Sequence, residues 1–220
     1  MDVGCGTGAW LVPFLEAGCE VQGFDGAWVE EQSLLIPAER FSVLDLTAAL
    51  PSPRKHEFDL ALSIEVGEHL PRESSGSLVE YLAALAPVVM FSAALTGQGG
   101  LDHINEQPLE LWQALFEDRG YVCFDPIRPR VWRDRRIPMW YRRNIRVYVH
   151  EDSVAHYGAR LATPAPTTEE EQSMTREFAR VRPVDRVLGT PPGRWLMRQE
   201  WLFGVLRRAY YALRSPAKPS

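Results

Sequence analysis

An acidic residue and three glycines alternate at the start of the chain, in the stretch MDVGCGTGAW. Asp2 comes first, and Gly4, Gly6 and Gly8 follow at every second position. Glycine tolerates a positive φ and has no Cβ, so such a loop bends tightly and lets its backbone approach a ligand closely. A helix that follows the loop adds free backbone amides, which favour polar or anionic ligand groups. The spacing therefore indicates a cofactor-binding loop.

Two cofactor classes use loops of this kind, and the spacing of the small residues separates them. The dinucleotide pattern G-x-G-x-x-G/A is matched by Gly4, Gly6 and Ala9, which is a weak match of three residues. The pattern D-x-G-x-G-x-G is matched at every position. In this stretch the chain resembles the class I S-adenosylmethionine (SAM)-dependent methyltransferases of the small-molecule type, whose first motif is similar to DVGCGTG almost letter for letter.

Three further segments carry the same resemblance, in order, over roughly residues 1–150. VQGFD ends at Asp25, which matches the family's acid on the ribose hydroxyls of SAM. FSVLDLT contains Asp45 and Leu46, which match the positions beside the adenine, and FDLALSIEVGEHL matches the segment that borders the methionine part. The resemblance implies SAM as the cofactor, bound by Asp2, Gly4, Cys5, Gly6, Gly8, Asp25, Gly26, Asp45, Leu46, Ser63, Ile64 and Glu65.

Plainer roles stay open for several of these residues. Gly6 and Gly8 could serve only a tight turn, and Asp25 could be a solvent-exposed turn acid. Asp45 could cap a helix over residues 47–50, because Asp favours the N-cap position. Cys5 could fill a small buried space, as free cysteines often do.

Two segments offer a general base, which a hydroxyl acceptor usually needs and an amine or thiolate needs less. EVGEHLP places Glu68 and His69 after the fourth strand, and GQGGLDHINEQP places His103 after the fifth. His103 is the leading candidate, with Asp102 or Asn105 to orient its ring. His103 could instead cap the next helix or only bind substrate, and His69 could be structural. The predicted catalytic residues are thus His103, His69 and Glu68.

No metal site is predicted from the sequence. His69, His103 and nearby acids could hold an ion, but no ligand spacing requires one. The three cysteines, at positions 5, 19 and 123, also lack metal-ligand spacing. Their odd number predicts free thiols in a reducing cytosol.

The elements that must position these residues alternate along the chain. Strands are predicted at residues 1–3, 20–24, 41–44, 58–64, 87–94, 121–127 and 144–149, and helices at 8–17, 27–36, 74–85 and 107–118. This alternation predicts right-handed crossovers and a mostly parallel sheet that binds ligands at the carboxyl ends of its strands. The resemblance specifies an α/β, doubly wound, seven-stranded Rossmann-like sheet of order 3-2-1-4-5-7-6 with a final antiparallel pair.

The charge is distributed unevenly. The net charge of −5 argues against a general nucleic-acid binder, and no specific nucleic-acid partner is expected. Residues 128–146 nevertheless carry eight arginines and one acid, with Trp132, Trp140 and Tyr141 among them. This segment could grip a phosphate-bearing acceptor, such as a nucleotide-linked sugar or a lipid-linked glycan. It could equally be a solvated hairpin whose arginines pair with the acidic residues of 1–70.

We expect three regions: a methyltransferase domain over residues 1–150, a linker over 151–193 and an amphipathic helix over 194–214. The helix combines five arginines with Trp and Tyr side chains, so it could pack on the domain, form a homodimer or contact an anionic membrane surface. The sequence has neither a secretory signal nor an apolar run of bilayer-spanning length, and a cytoplasmic location is expected.

The first strand is preceded by little sequence, whereas members of the resembling family carry one or two helices there. We expect those helices to be lacking, and we expect weak SAM binding or low stability as the result. The predicted function is methyl transfer from SAM to a small-molecule acceptor, with a hydroxyl of a sugar, glycan or secondary metabolite as the target. The alternatives are an NAD(P)-dependent oxidoreductase and a non-catalytic SAM-binding protein on a methyltransferase scaffold; Gly8 argues against the first.

Overall fold

The computed structural model describes residues 1–134 and 136–161. Seven strands run through this part of the chain: β1 (Asp2–Val3), β2 (Gly23–Asp25), β3 (Phe41–Val43), β4 (Ala61–Ile64), β5 (Val88–Ser92), β6 (Tyr121–Phe124) and β7 (Arg146–His150). The α-helices are α1 (Val12–Glu16), α2 (Ser74–Leu85), α3 (Leu109–Glu117), α4 (Arg128–Val131), α5 (Met139–Asn144) and α6 (Glu151–Leu161).

All seven strands form one sheet in the order β3-β2-β1-β4-β5-β7-β6. The strands from β3 to β5 pair in parallel, and β7 lies antiparallel to both β5 and β6. The predicted fold class and strand order are therefore confirmed. The parallel strands end at one edge, so the segments that follow β1, β2, β4 and β5 lie together there.

Alternate residues of the central strands point to opposite faces of the sheet, and each face has its own core. Ala61 of β4 lies in the larger core, which α2 and α3 cover. This core contains the stacked pair Phe116 and Tyr148, whose ring centroids lie 3.9 Å apart. Leu62, the next residue, lies in the smaller core, against which Val12 of α1 and Tyr141 of α5 pack. The sheet is thus covered by helices on both faces.

Two predicted helices are shorter than expected. The segment 8–17 is helical only over Val12–Glu16, because Gly8 has a φ of 80° and Pro13 is suited to the first turn of a helix rather than its interior. The segment 27–36 contains only a 3₁₀ turn at Glu31–Ser33. Its apolar residues do not recur at helical spacing: Leu35 is 60% exposed and only the adjacent Ile36 is buried.

The chain beyond β6 also differs from expectation. Helices α4 and α5 lie in the arginine-rich connection between β6 and β7, where a hairpin was one alternative. Residues 151–161, which the sequence assigned to a linker, form α6, which packs against β6 and β7. Gly158 is the buried residue of α6, and it faces the Phe124 ring of β6, which would lie 3.6 Å from a Cβ at this position.

The rest of the predicted linker and the predicted helix over 194–214 lie outside the described residues. Among the helices that the structure does describe, none combines the length and the apolar character needed to cross a membrane.

Candidate active site

The glycine loop leaves β1 at the carboxyl edge of the sheet. Gly4 has a φ of 81°, and a Cβ on it would lie 2.3 Å from Cγ2 of Val66, so only glycine fits there. The amides of Gly4 and Cys5 both donate to the carbonyl of Phe24, at 2.7 and 3.0 Å. The loop is thus held against β2 with its backbone exposed to the space in front of the sheet.

Asp25, the last residue of β2, fixes the other side of this loop. Its carboxylate accepts hydrogen bonds from the backbone amides of Gly6 at 2.6 Å and Gly26 at 2.7 Å. The residue is only 9% exposed, which differs from the alternative of a solvent-exposed turn acid. A carboxylate has about four lone-pair sites, so Asp25 can still accept hydrogen bonds from a ligand's hydroxyls.

A cavity of about 620 Å³ opens in front of the loop. It is bounded by residues from the ends of four parallel strands and from the loop after β5. The lining residues are Gly4, Asp25, Gly26, Trp28, Leu44, Asp45, Leu46, Thr47, Glu65, Val66, His69, Leu70 and Asp102. Six of the residues predicted to bind the cofactor, Gly4, Asp25, Gly26, Asp45, Leu46 and Glu65, therefore share one cavity with the predicted catalytic residue His69.

Sequence reasoning missed Trp28, which lines this cavity and is 78% exposed. Its ring lies directly over Gly26, where a Cβ would come within 2.1 Å of the indole. The face of an indole is a good surface for stacking a planar base. Its position three residues after the strand-end acid was the available signal.

Asp45 follows β3 and forms a local turn. Its carboxylate accepts hydrogen bonds from the amide of Thr47 at 2.8 Å and from the Thr47 hydroxyl at 2.7 Å. These hydrogen bonds lower the pKa of Asp45, so the side chain is a stable anion at the cavity mouth. The predicted helix over 47–50 does not form, since this segment is a turn, and the N-cap alternative for Asp45 is wrong.

The other residues predicted to bind the cofactor lie behind or beside the cavity wall. Gly6 and Gly8 belong to the loop itself, and a Cβ on Gly8 would lie 2.8 Å from Ile36. Asp2, Cys5, Ser63 and Ile64 are buried. Cys5 fills the space that Gly23 leaves open, where a Cβ would lie 2.7 Å from its sulfur, and burial raises the pKa of its thiol to about 12. This packing matches the plainer role proposed for Cys5.

Glu65 reaches the cavity from the end of β4 and is held by two amides. Asn144 of α5 donates to Oε1 of Glu65 at 3.2 Å, and Gln98 donates to Oε2 at 3.3 Å. Asn144 also donates to Gln98 at 3.0 Å, which closes a three-residue network. Burial raises the pKa of Glu65, although hydrogen bonds from Ser92, Asn144 and Gln98 oppose the rise. Glu65 has a φ of 57°, an uncommon conformation for this residue type.

The three predicted catalytic residues lie together. Glu68 and His69 belong to a 3₁₀ turn, Gly67–His69, after β4, and His103 belongs to the loop after β5. One potential ligand atom of each lies within 4.8 Å of the others, and the rings of His69 and His103 meet edge to face at 5.0 Å. Burial, and after it the charge of Glu65, raise the pKa of Glu68 to about 9. Desolvation lowers the pKa of His69, and His103 lowers it further.

Glu106 orients His103, in place of the predicted Asp102 or Asn105. Oε1 of Glu106 lies 3.0 Å from Nδ1 of His103. The same carboxylate accepts the amides of Gly97 at 2.9 Å and Gly99 at 2.6 Å. Burial raises the pKa of Glu106, but the hydrogen bonds from His103 and the two glycine amides together outweigh it and lower the pKa. The ring of His103 lies over Gly100, where a Cβ would clash with it at 2.2 Å.

Asn105 has a different role from the one predicted. Its amide group donates to the carbonyl of Gly67 at 3.0 Å and to the hydroxyl of Ser75 at 2.9 Å. Its backbone amide donates to the carbonyl of Glu68 at 3.0 Å. Asn105 therefore joins the loop that carries His103 to the turn that carries Glu68 and His69.

The family assignment rests on a sequence profile. The profile of a family described as a methyltransferase domain matches residues 1–142. The chain belongs to this family of SAM-dependent methyltransferases. A search of curated proteins found no match.

Several solved structures are similar to the methyltransferase. Magnesium protoporphyrin IX methyltransferase from Synechocystis PCC 6803, with bound SAM, has a TM-score of 0.49 and 19% identity over 68% of each chain. A TehB-like SAM-dependent methyltransferase from Corynebacterium glutamicum has a TM-score of 0.47 and 18% identity over 68% of this chain and 78% of that one. TnmH has a TM-score of 0.45 and 20% identity, and the alignment covers 69% of this chain and 49% of TnmH. At this level of similarity none of them indicates the acceptor.

SAM is the cofactor of the methyltransferase. The cavity suits it, since the cavity combines an exposed glycine-loop backbone, the carboxylates of Asp25 and Asp45 and the apolar surfaces of Trp28 and Leu46. Carboxylates accept hydroxyl and amine donors, and an aromatic or apolar wall suits an adenine ring.

Several arginines between β6 and β7 are structural. Arg142 is 3% exposed and donates to the carbonyls of Ile137 and Trp132, both at 2.9 Å. Arg146 is also buried and donates to the carbonyl of Ile145 at 2.9 Å. Arg128, likewise buried, pairs with Asp125 at 2.5 Å. These three side chains stabilise the connection, which reduces the number available to grip a phosphate. Arg130, Arg133 and Arg136 are exposed, and Arg136 pairs with Asp134 at 2.6 Å.

Proposed function

We propose that the methyltransferase transfers the methyl group of SAM to a hydroxyl oxygen of a small molecule, of the sugar, glycan or secondary-metabolite class. The observation that supports this most directly is the position of His69. It lines the same cavity as Asp25 and Asp45, and its ring contacts that of His103. Proton-accepting groups thus lie at one side of the cofactor cavity, as a hydroxyl acceptor needs.

The transfer is an in-line displacement. The acceptor oxygen forms a bond to the methyl carbon, the carbon–sulfur bond breaks, and S-adenosylhomocysteine (SAH) leaves with the electron pair. SAM supplies the activated methyl group when bound, so the chain must place the acceptor and take up its proton.

We propose that His103 takes this proton. Nδ1 of His103 faces Glu106 at 3.0 Å, which leaves Nε2 as the nitrogen for the acceptor. A carboxylate on one ring nitrogen fixes the tautomer and the orientation of an imidazole and stabilises its protonated form. His69, which lines the cavity, would complete the polar wall on which the hydroxyl rests, and Glu68 would lie buried behind it.

The arginine-rich connection between β6 and β7 supports a narrower proposal about the chemical class of the acceptor. An acceptor that carries a phosphate, such as a nucleotide-linked sugar or a lipid-linked glycan, would be favoured by the exposed arginines Arg130 and Arg133. Phosphate binding does not involve Arg128, Arg142 or Arg146, because their side chains are buried. We also propose a cytoplasmic location, since Cys5, Cys19 and Cys123 are free thiols. Homodimerisation or membrane contact through residues 194–214 stays a proposal.

The test measures SAH formation with a panel of hydroxyl-bearing sugars, nucleotide-linked sugars and aromatic metabolites, and SAH binding by calorimetry. With the best acceptor, His103→Ala should lower turnover by about a hundredfold or more and leave SAH affinity unchanged. His156→Ala, on the exposed surface of α6, is the control and should change neither. Unchanged turnover in His103→Ala would exclude this base. Tight SAH binding without turnover of any acceptor would favour the non-catalytic alternative; NADH binding in place of SAH would favour an oxidoreductase.

A further inference from the structure

The cluster of Glu68, His69 and His103 has the composition of a metal site. Two imidazoles and one carboxylate offer ligand atoms that all lie within 4.8 Å of one another. The residues come from two different loops at the carboxyl edge of the sheet, which is why their sequence spacing shows no metal motif. Two histidines and a glutamate form the ligand set of several catalytic zinc sites, in which a further position stays open.

Glu68 provides independent support for a ligand at this place. Its side chain is 0% exposed, and neither carboxylate oxygen has a hydrogen-bond partner among the described residues. A buried carboxylate is normally hydrogen-bonded, paired with a charge or bound to a metal, because its desolvation is costly. The backbone here is fixed, since the carbonyl of Glu68 accepts the amides of Ile104 at 2.9 Å and Asn105 at 3.0 Å. The carboxyl group is therefore held beside the two histidines, with the backbone of Ala94 and the side chain of Glu65 as polar neighbours and no cation against it among the contacts described.

His103 has the second contact that metal-binding histidines typically have. Such a histidine donates its other ring nitrogen to a carboxylate or carbonyl, which fixes the tautomer and raises the basicity of the ligating nitrogen. Glu106 makes this contact with Nδ1 at 3.0 Å, and the amides of Gly97 and Gly99 hold Glu106 in turn. Nε2 of His103 is thus the nitrogen left for a metal.

We infer that Glu68, His69 and His103 bind a divalent transition-metal ion, with a coordination position open toward the cofactor cavity. The direction of the open position follows from His69, which is exposed and lines that cavity. Imidazole ligands select Zn²⁺, Co²⁺ or Ni²⁺ over Mg²⁺ and Ca²⁺, which prefer all-oxygen ligands.

This inference rests on the proposed function only for the role of the ion, which would hold the acceptor oxygen beside the methyl group. It changes one step of that function. With an ion bound, Nε2 of His103 would be a ligand, and the ion rather than His103 would lower the pKa of the acceptor hydroxyl, whose proton would pass to solvent. No electron transfer is involved, and the ion is released or retained unchanged.

The experiment uses the full chain without an affinity tag and measures binding by calorimetry with Zn²⁺ and by absorption with Co²⁺. We expect one ion per chain and cobalt bands without a thiolate-to-cobalt band, because the site has no cysteine. Glu68→Gln, His69→Ala and His103→Ala should each lower Zn²⁺ affinity by more than about a hundredfold, and Glu106→Gln by about ten- to a hundredfold. His156→Ala should bind as the unmodified chain does, and Mg²⁺ should not displace Co²⁺.

Chemical unfolding checks that each variant is folded, and Glu68→Gln keeps the buried volume of the side chain. Zn²⁺ affinity that is negligible in the unmodified chain, or unchanged in Glu68→Gln and His69→Ala, would overturn the metal site. If His103→Ala then still abolished turnover, the proposed base would stand without a metal. Conversely, one tightly bound ion with no turnover of any acceptor would support the metal site and count against the proposed function.

Discussion

Oδ2 of Asp25 accepts a hydrogen bond from the backbone amide of Gly6 at 2.6 Å. This contact joins the end of β2 to the loop after β1, so the acid shapes the cofactor loop before any ligand binds. The second oxygen accepts the amide of Gly26 at 2.7 Å, on the opposite side. Asp25 thus connects both segments that frame the ribose end of the predicted cofactor position.

Replacing Asp25 with Asn should weaken SAH binding. The amide nitrogen of Asn cannot accept a backbone N–H, so one of the two contacts is lost and a donor then faces a donor. Hydrogen bonds to a charged group contribute about 1.5–3 kcal/mol, which corresponds to at least about tenfold in Kd. Calorimetric titration with SAH measures this. Asp118→Asn, an exposed acid after α3, is the matched control, and equal affinities of the two variants would contradict the role given to Asp25.

Gly4→Ala and Gly6→Ala form a pair that separates backbone strain from a steric clash. Both glycines have a positive φ, 81° and 54°, so each substitution costs about 1–2 kcal/mol. A Cβ on Gly4 would also lie 2.3 Å from Cγ2 of Val66, whereas one on Gly6 meets nothing within 4 Å. Overpacking should add about 1–3 kcal/mol to the cost of Gly4→Ala. Urea unfolding measures the difference.

Val66→Ala offers a rescue for the first of these variants. It removes both methyl groups that the new Cβ of Gly4→Ala would meet. The double variant should therefore be more stable than the sum of the two single changes by about 1 kcal/mol or more. If the changes in the free energy of unfolding were strictly additive, the clash would be relieved in another way.

Asn105→Ala should loosen the contact between the two loops that carry the predicted catalytic residues. Asn105 is 2% exposed, and its loss leaves the carbonyl of Gly67 and the hydroxyl of Ser75 without this donor. We expect a loss of about 3 kcal/mol in the free energy of unfolding, together with lower turnover. The measurements are chemical unfolding and SAH formation. Gln113→Ala removes an exposed hydrogen bond to Glu117 and should cost no more than about 0.5 kcal/mol.

Asp2 should make the stability fall as the pH rises. It is 1% exposed, and burial raises its pKa from 3.8 to about 7. The folded chain therefore holds a proton that the unfolded chain has released, so this contribution is full below pH 3.8 and is lost as the pH rises to about 7. Asp2→Asn does not titrate, and its stability relative to the unmodified chain should grow over that interval, by at most about 4 kcal/mol.

Unfolding of both proteins at pH values between about 4 and 8 tests this, because the difference should stop growing above the folded-state pKa. A difference that is independent of pH would show that Asp2 is ionised in the folded chain.

The sheet could be predicted because its signals are local. The first four strands, β1 to β4, are short apolar runs with a glycine or an acid at or just after their ends, β5 is a longer apolar run, and the antiparallel final pair came from the family resemblance. The segment 27–36 could not be predicted, because its residues have adequate helix propensity but no apolar face to bury; Trp28 and Leu35 both stay exposed. Propensity without packing does not maintain a helix in a protein.

The position of the cavity could be predicted in the same way. Strand ends and the glycine loop located the cavity, since the edge of a parallel sheet collects them. The predicted partners of His103, Asp102 or Asn105, were wrong. Both residues and Glu106 are near His103 in sequence, and only the path of the loop decides which side chain meets the ring. Burial of Arg142 and Arg146 was not predictable either, because their partners are backbone carbonyls, which every residue type has.

Glu106 links the shape of the loop after β5 to the orientation of a ring within it, because one carboxylate binds the amides of Gly97 and Gly99 together with Nδ1 of His103. For protein engineering, residues 97–106 should therefore be replaced together, as one complete loop. A loop transplanted from another enzyme would keep its histidine aligned only if it brought its own carboxylate at the final position. Substitutions intended to change acceptor preference are better confined to Leu101 and Ile104, whose side chains take no part in these contacts to Glu106.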